Sequence, residues 1–183
     1  MDLLPVFLKL DGRDVLIVGG GPVAASKLDA LRRAGARVRV VAPEVQASIR
    51  EAGVAIDARA FEPGDLDGAW LVVAAATPAV NASVAREAER RRVFVNAVDD
   101  PRNASAYLGG VVRRDGVTIA ISTAGEAPAL AGVLREAIDA VLPDDLERWS
   151  ARARNLRDDW KRDQVPMAER RPQLIEALKG LYP

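Results

Sequence analysis

The sequence predicts an α/β fold: a doubly wound, mostly parallel sheet followed by a small hairpin and helical elements. Three observations carry this. Short runs rich in β-branched residues alternate with segments of helical periodicity. A glycine turn joins the first such run to the first helix. The composition is that of an ordinary globular chain, with 183 residues, 49% hydrophobic and 28% charged.

Val15-Leu16-Ile17-Val18 is a continuous apolar run that suits a strand buried on both faces. After Gly19-Gly20-Gly21, the stretch from Pro22 to Ala34 places Val23, Ala24, Lys27, Leu28 and Leu31 at helical spacing. Pro22 fits the first turn, where its missing N–H costs nothing, and Gly35 fits the end. Arg37 to Val41 forms a second strand. Val45 to Ala52 then reads as a helix, Val54 to Ala58 as a short strand and Trp70 to Ala75 as a buried one. Ala79 to Arg91 reads as a helix and Val93 to Val98 as a strand. Beyond Pro101 the alternation changes. Ala106 to Val112 and Val117 to Ser122 read as strands joined at Arg113-Arg114-Asp115-Gly116, where Asp-Gly is a hairpin signal. Pro128 to Leu142 carries apolar residues at i, i+3 and i+4. The tail from Leu146 to Leu181 reads as helix interrupted near Pro166 and Pro172.

The charges exclude several function classes. With 26 Lys+Arg against 26 Asp+Glu, no global basic field exists to hold nucleic acid or an anionic membrane. The longest apolar run, Ala69 to Ala76, has eight residues, far too few to span a bilayer. The opening residues lack the pattern of a secretory signal, which makes the cytoplasm the expected location. The absence of Cys excludes disulfides, thiolate metal sites and thiol nucleophiles. The absence of His removes the commonest metal ligand and the commonest base near neutral pH. Proton chemistry is left to Asp, Glu, Lys or Tyr, and any metal site to oxygen ligands or the substrate itself, so no protein-bound iron site is expected.

Gly19-Gly20-Gly21-Pro22-Val23-Ala24 fits G-x-G-x-x-A, with Gly19 making the turn and Gly21 admitting a pyrophosphate against the backbone. Ala24 would let helix and strand pack closely, and the helix N-terminus would face the phosphates. The bland alternative is a tight βα turn without a ligand. Glu44 lies about 20 residues further on, where a ribose-binding carboxylate belongs, or it simply opens the next helix. No Arg stands at positions 42 to 46 to meet a 2′-phosphate, which favours NAD over NADP. Asp99 and Asp100 follow a strand on the side where ligands of open α/β sheets bind, although Asp-Asp-Pro-Arg-Asn is also turn chemistry. The hydroxyls of Ser122-Thr123-Ala124-Gly125 suit a helix cap or a substrate carboxylate. From Arg148 to Arg171, eight Lys/Arg face four acids, a solvated helix face or an attractor for a polyanion.

These segments together resemble a known family. They are Leu4-Pro5-Val6-Phe7-Leu8, the Val18–Ala24 turn with Lys27, and Val40-Val41-Ala42-Pro43-Glu44. Ala74-Ala75-Ala76-Thr77 with Asn81, Val95-Asn96-Ala97-Val98-Asp99, and Ile121–Gly125 through Pro128-Ala129-Leu130 complete the set. The chain is similar to the precorrin-2 dehydrogenase/sirohydrochlorin ferrochelatase family, the siroheme synthase module, from about residue 2 to the end. The resemblance implies a Rossmann NAD-binding domain over 1–112, a dimerisation region over 113–145 and a helical C-terminal region over 146–183. It implies NAD⁺-dependent oxidation of the tetrapyrrole precorrin-2 to sirohydrochlorin, with Fe²⁺ as a substrate, not a bound cofactor, in members that also chelate. It places the catalytic carboxylate on Asp99. Cofactor contacts fall on Gly19, Gly21, Pro22, Val23, Pro43, Glu44 and Thr77, and substrate contacts on Asn96, Ser122, Thr123 and Gly125. A homodimer is expected. Thr123 stands where some relatives carry a modified Ser, and Leu108-Gly109-Gly110 replaces a more usual Pro-containing turn. A dehydrogenase without chelatase activity and a non-catalytic NAD sensor are the alternatives, and Asp99 distinguishes an enzyme from a sensor.

Overall fold

The computed structural model describes residues 2–179, which form two compact units. The first runs to Leu108 and also takes in Ala124–Glu126. The second comprises Gly109–Thr123 and the chain from Ala127 onward. The second unit thus holds the hairpin and the helices that follow it. Among the described residues no helix is long and apolar enough to cross a membrane.

The first unit is a five-stranded parallel sheet with the order β3-β2-β1-β4-β5. Its strands are β1 (Asp14–Val18), β2 (Arg37–Val41), β3 (Ala55–Asp57), β4 (Leu71–Ala74) and β5 (Phe94–Ala97). The apolar runs are interior strands because both faces are covered. Val15 and Ile17 join Ala24, Leu28 and Leu31 of α1 (Pro22–Arg33) in one cluster. Leu16 and Val18 join Val84, Ala85 and Ala88 of α3 (Pro78–Arg91) in the other. Alternate side chains of β1 thus feed opposite layers, as strand geometry requires. Each fully buried Leu, Ile or Val contributes on the order of 2 kcal/mol. Because α1 follows β1 onto one face and α3 follows β4 onto the other, the winding reverses between these neighbouring strands. The crevice at their carboxyl ends is where such sheets bind ligands.

Beside the β2–β3 edge of the sheet an ion network replaces apolar packing. Asp65, in the short 3₁₀ turn Pro63–Leu66, has a side chain only 4% exposed. It accepts hydrogen bonds from Arg39 Nη1 (3.0 Å), Arg59 Nη2 (2.6 Å) and its own turn's Glu62 N (2.9 Å). The Arg59 guanidinium above all, opposed by burial, lowers the Asp65 pKa to about 2.

Element bounds depart from the sequence expectation in three places. The helix expected over 45–52 shrinks to α2 (Ala47–Glu51). Residues 106–108 form no strand, and the hairpin consists of β6 (Gly110–Arg114) paired antiparallel with β7 (Val117–Ile121). Ser105 N and Ala106 N both donate to Val95 O (2.9 Å each), so this stretch is strapped to one residue and makes no ladder. The turn closes at Asp115 and Gly116, both left-handed (φ 49° and 81°), as the Asp-Gly pair predicts. Lastly, the tail breaks just before Pro166, which precedes a new helix, but not at Pro172. The tail comprises α5 (Leu146–Arg162) and α6 (Met167–Leu178), with Pro172 inside α6. Trp160 Nε1 donates to Gln173 Oε1 (2.6 Å), fastening α6 to α5 beside the proline. Leu181, the expected end of the tail, lies outside the described residues.

In the second unit, α4 (Pro128–Val141) is tied to the hairpin by Arg114. Its guanidinium donates to Leu142 O (2.7 Å) and Asp139 Oδ1 (2.9 Å), placing a cation at the negative end of the helix dipole.

Candidate functional site

The glycine turn leaves β1 in a geometry that its first two glycines make possible. Gly19 has φ 126°, and a Cβ there would collide with Ala75 O at the end of β4. A Cβ on Gly20 would collide with Glu44 O and lie 2.8 Å from Val45 Cα. Gly20 O in turn accepts from Gln46 N (2.9 Å). Gly21 differs, because a Cβ there would meet nothing within 4 Å. It is the N-cap of α1, with no side-chain cap and no acid in the first turn, and Pro22 follows. Free amides of the first turn and open space above Gly21 suit a pyrophosphate. The residues present therefore fit a dinucleotide.

The other expected cofactor residues surround this turn. Pro43 and Glu44, both exposed, lie on the loop packed against Gly20, and Val23 is 42% exposed in the first turn of α1. Thr77 is exposed at the N-cap of α3 and makes no side-chain cap bond, which leaves its hydroxyl available. Buried Asn81 shapes the connection before it, since its Oδ1 accepts from Ala76 N (2.9 Å).

Asp99 follows β5, two residues beyond its last position, with φ 56°. It is exposed, and no hydrogen bond or ion pair engages its carboxylate among the described residues. Its neighbour Asp100 is occupied, accepting from Asn103 Nδ2 (2.6 Å). The left-handed backbone disfavours a residue with a Cβ, and such conformations cluster at functional sites.

Asn96 is buried, and its Nδ2 donates to Ala106 O (2.9 Å), while its Oδ1 has no hydrogen-bond partner. The structure thus turns Asn96 toward the 105–108 strap. Thr123 Oγ1 accepts from Ala127 N (3.2 Å), a turn role at the start of α4. Ser122 and Thr123 belong to the second unit, whereas Gly125 belongs to the first. A Cβ on Gly125 (φ 79°) would lie 3.0 Å from Pro101 Cγ and 3.4 Å from Tyr107 Cε1. The tip of the 122–128 connection therefore packs on the turn that carries Asp99. Sequence reasoning missed two residues. The constraint on Gly20 comes from a loop 24 residues downstream, which no local pattern reveals. Tyr107, whose hydroxyl donates to Pro101 O (3.1 Å), carried only the signal of being one of two tyrosines in the chain.

Comparison with known proteins agrees with this arrangement. A family model described as NAD(P)-binding matches residues 6–110. Siroheme synthase 3 of Aeromonas hydrophila is 44% identical over 98% of this chain and 39% of its own length. The siroheme synthase of Photorhabdus laumondii is 40% identical over all of this chain and 40% of its own. The chain thus spans about two fifths of the length of these relatives. Among solved structures, SirC, a precorrin-2 dehydrogenase, has the same fold, with TM-score 0.74 and 24% identity over 97% of this chain and 90% of that one. With more than half of its residues matched by the family model and its whole length related to part of the siroheme synthases, the protein belongs to the NAD(P)-binding family.

Proposed function

We propose that this chain is an NAD⁺-dependent dehydrogenase that oxidises precorrin-2 to sirohydrochlorin in siroheme biosynthesis. The observation that carries the reading is Asp99: a carboxylate without a partner among the described residues, held in a left-handed turn at the carboxyl end of the parallel sheet that also bears the glycine turn. The resemblance of the Val95–Asp99 and Ile121–Leu130 segments to the precorrin-2 dehydrogenase family supports the substrate. The names of the siroheme synthases and SirC point the same way.

The dinucleotide, when bound, accepts a hydride. The protein supplies the remainder. The first turn of α1 meets the pyrophosphate with free amides, and Gly21 leaves room for it. Glu44 accepts from ribose hydroxyls, and this carboxylate, with no Arg at 42–46, favours NAD over NADP. Asp99 takes the proton released as the macrocycle loses its hydride, so two electrons and one proton are accounted for. Arg or Lys groups meet the acetate and propionate side chains, and Gly125 lies beside the turn that carries Asp99. In a chelating member Fe²⁺ is a substrate, and Asp99 receives the displaced pyrrole protons. The reading carries a cytoplasmic location.

The protein is further read as a homodimer through α4, whose Leu130, Val133, Leu134 and Val141 are 40–79% exposed. A non-catalytic sensor would have no use for an unengaged carboxylate in this position.

The deciding experiment is anaerobic and follows absorbance as wild type and Asp99→Ala meet precorrin-2 and NAD⁺, with Fe²⁺ added afterwards. Sirohydrochlorin is expected from wild type with NAD⁺, and at least 100-fold more slowly from the variant, in line with the usual worth of a general base. Siroheme forming above the spontaneous rate would add chelation. No oxidation by wild type would sink the enzyme reading.

A further inference from the structure

The turn that carries Asp99 is gripped from outside. Tyr107 Oη donates to Pro101 O (3.1 Å), and one edge of the Tyr107 ring and the Pro101 ring pack where a Gly125 side chain would stand. Tyr107 is itself fixed by the strap around it. Val95 N donates to Ser105 Oγ (2.9 Å), Asn96 Nδ2 to Ala106 O (2.9 Å), and Lys27 Nζ lies 3.5 Å from Leu108 O. Asp99 meanwhile sits at φ 56°, a left-handed backbone that Asp enters more readily than most residues with a Cβ and that neighbouring contacts hold in place.

We propose that Tyr107 is the positioning residue for Asp99, its hydroxyl holding the Pro101 carbonyl so that the carboxylate two residues earlier keeps its reactive direction. The inference rests on Asp99 being the base. Deleting one neutral hydrogen bond shifts a local equilibrium by up to about tenfold, and misplacing a reacting group by about 1 Å costs about 100-fold in rate. Tyr107 touches neither cofactor nor substrate in this role. Its ring also explains why position 125 is glycine, since a side chain there would push against both Pro101 and Tyr107.

Tyr107→Phe tests this, because it keeps the ring on Gly125 and deletes only the hydroxyl. The full chain is compared with wild type in three measurements: anaerobic turnover of precorrin-2, KM for NAD⁺, and hydrogen exchange of the amides at 99–104. The expected result is a kcat about tenfold lower, an unchanged KM for NAD⁺, and roughly tenfold faster exchange in that segment alone. Unchanged exchange would overturn the proposal, since the hydroxyl would then not hold the turn. Faster exchange with unchanged kcat would overturn it too, since holding the turn would then not serve the reaction. A rise in KM for NAD⁺ with exchange spread over the sheet would mark a general structural role and also overturn it. If wild type fails to oxidise precorrin-2, the dehydrogenase reading falls, while the exchange comparison still decides whether Tyr107 holds the Asp99 turn.

Discussion

The two units bury their apolar residues very differently. In the first, both clusters close on themselves: β1, β2 and β4 are covered on two faces, and Ile17, Val40, Val72 and Val73 are fully inaccessible. In the second, few of the described side chains are buried, namely Val112, Ala131, Leu146 and Trp160, while Leu130, Val133, Leu134 and Val141 of α4 stand open. A parallel sheet wrapped by its own crossovers needs nothing else to complete it. A hairpin with one amphipathic helix offers too little cover and leaves apolar surface for another molecule.

The largest way to break this contrast is to insert a side chain where the first unit has no space. Gly20→Val places atoms into the backbone of Glu44 and Val45, and the expected outcome is loss of NAD⁺ binding by calorimetry with a fall in Tm of many degrees. Normal binding would show that the 43–46 loop yields easily. The proposed interface is next. Val133→Asp with Val141→Asp places charges on the exposed α4 face and should convert a wild-type dimer to monomer in light scattering. A monomeric wild type would instead mean that this face is left to solvent.

A smaller effect is expected from Asp65→Asn. With the folded pKa lowered to about 2 from an ordinary value near 3.8, the ionised carboxylate contributes roughly 2 kcal/mol. That contribution is present in full above the unfolded pKa and lost as pH falls through about 4 toward 2. Denaturant titrations should therefore show wild type more stable than the variant at pH 7 and the two converging near pH 2. A gap that persists at pH 2 would assign the loss to packing. The smallest change is Gly132→Ala in α4, where a Cβ meets nothing within 4 Å. Helix propensity predicts a gain of up to about 1 kcal/mol in thermal melts. A loss would mean that a second molecule packs closely over Gly132.

Much of the first unit was legible because its signals are local. Val15–Val18 and Leu71–Ala74 are apolar runs bounded by turns, and Gly19 and Gly21 occupy the positions that a pyrophosphate turn demands. What was illegible depends on contacts distant in sequence. Ala106-Tyr107-Leu108 has strand-like composition, yet its partner is a single carbonyl on Val95 and a buried Asn96 amide, so it becomes a strap. Pro172 reads as a helix breaker, but the Trp160–Gln173 bond and the packing of α5 against α6 keep the helix continuous. At the site, Asp99 was legible as a carboxylate after a strand, whereas its left-handed backbone and the grip of Tyr107 on Pro101 were not.

Gly20 meets Glu44 through the carbonyl oxygen of Glu44, not through its side chain. The loop that would face the adenosine half of a dinucleotide and the turn that would face its phosphates are therefore joined backbone to backbone. Residue 44 is free to change its chemistry without loosening that joint. On the proposed reading, exchanging Glu44 for a neutral or basic residue should redirect which dinucleotide is preferred while leaving the grip on the phosphates intact. Selectivity and retention would then be two separately adjustable properties of one short stretch of chain.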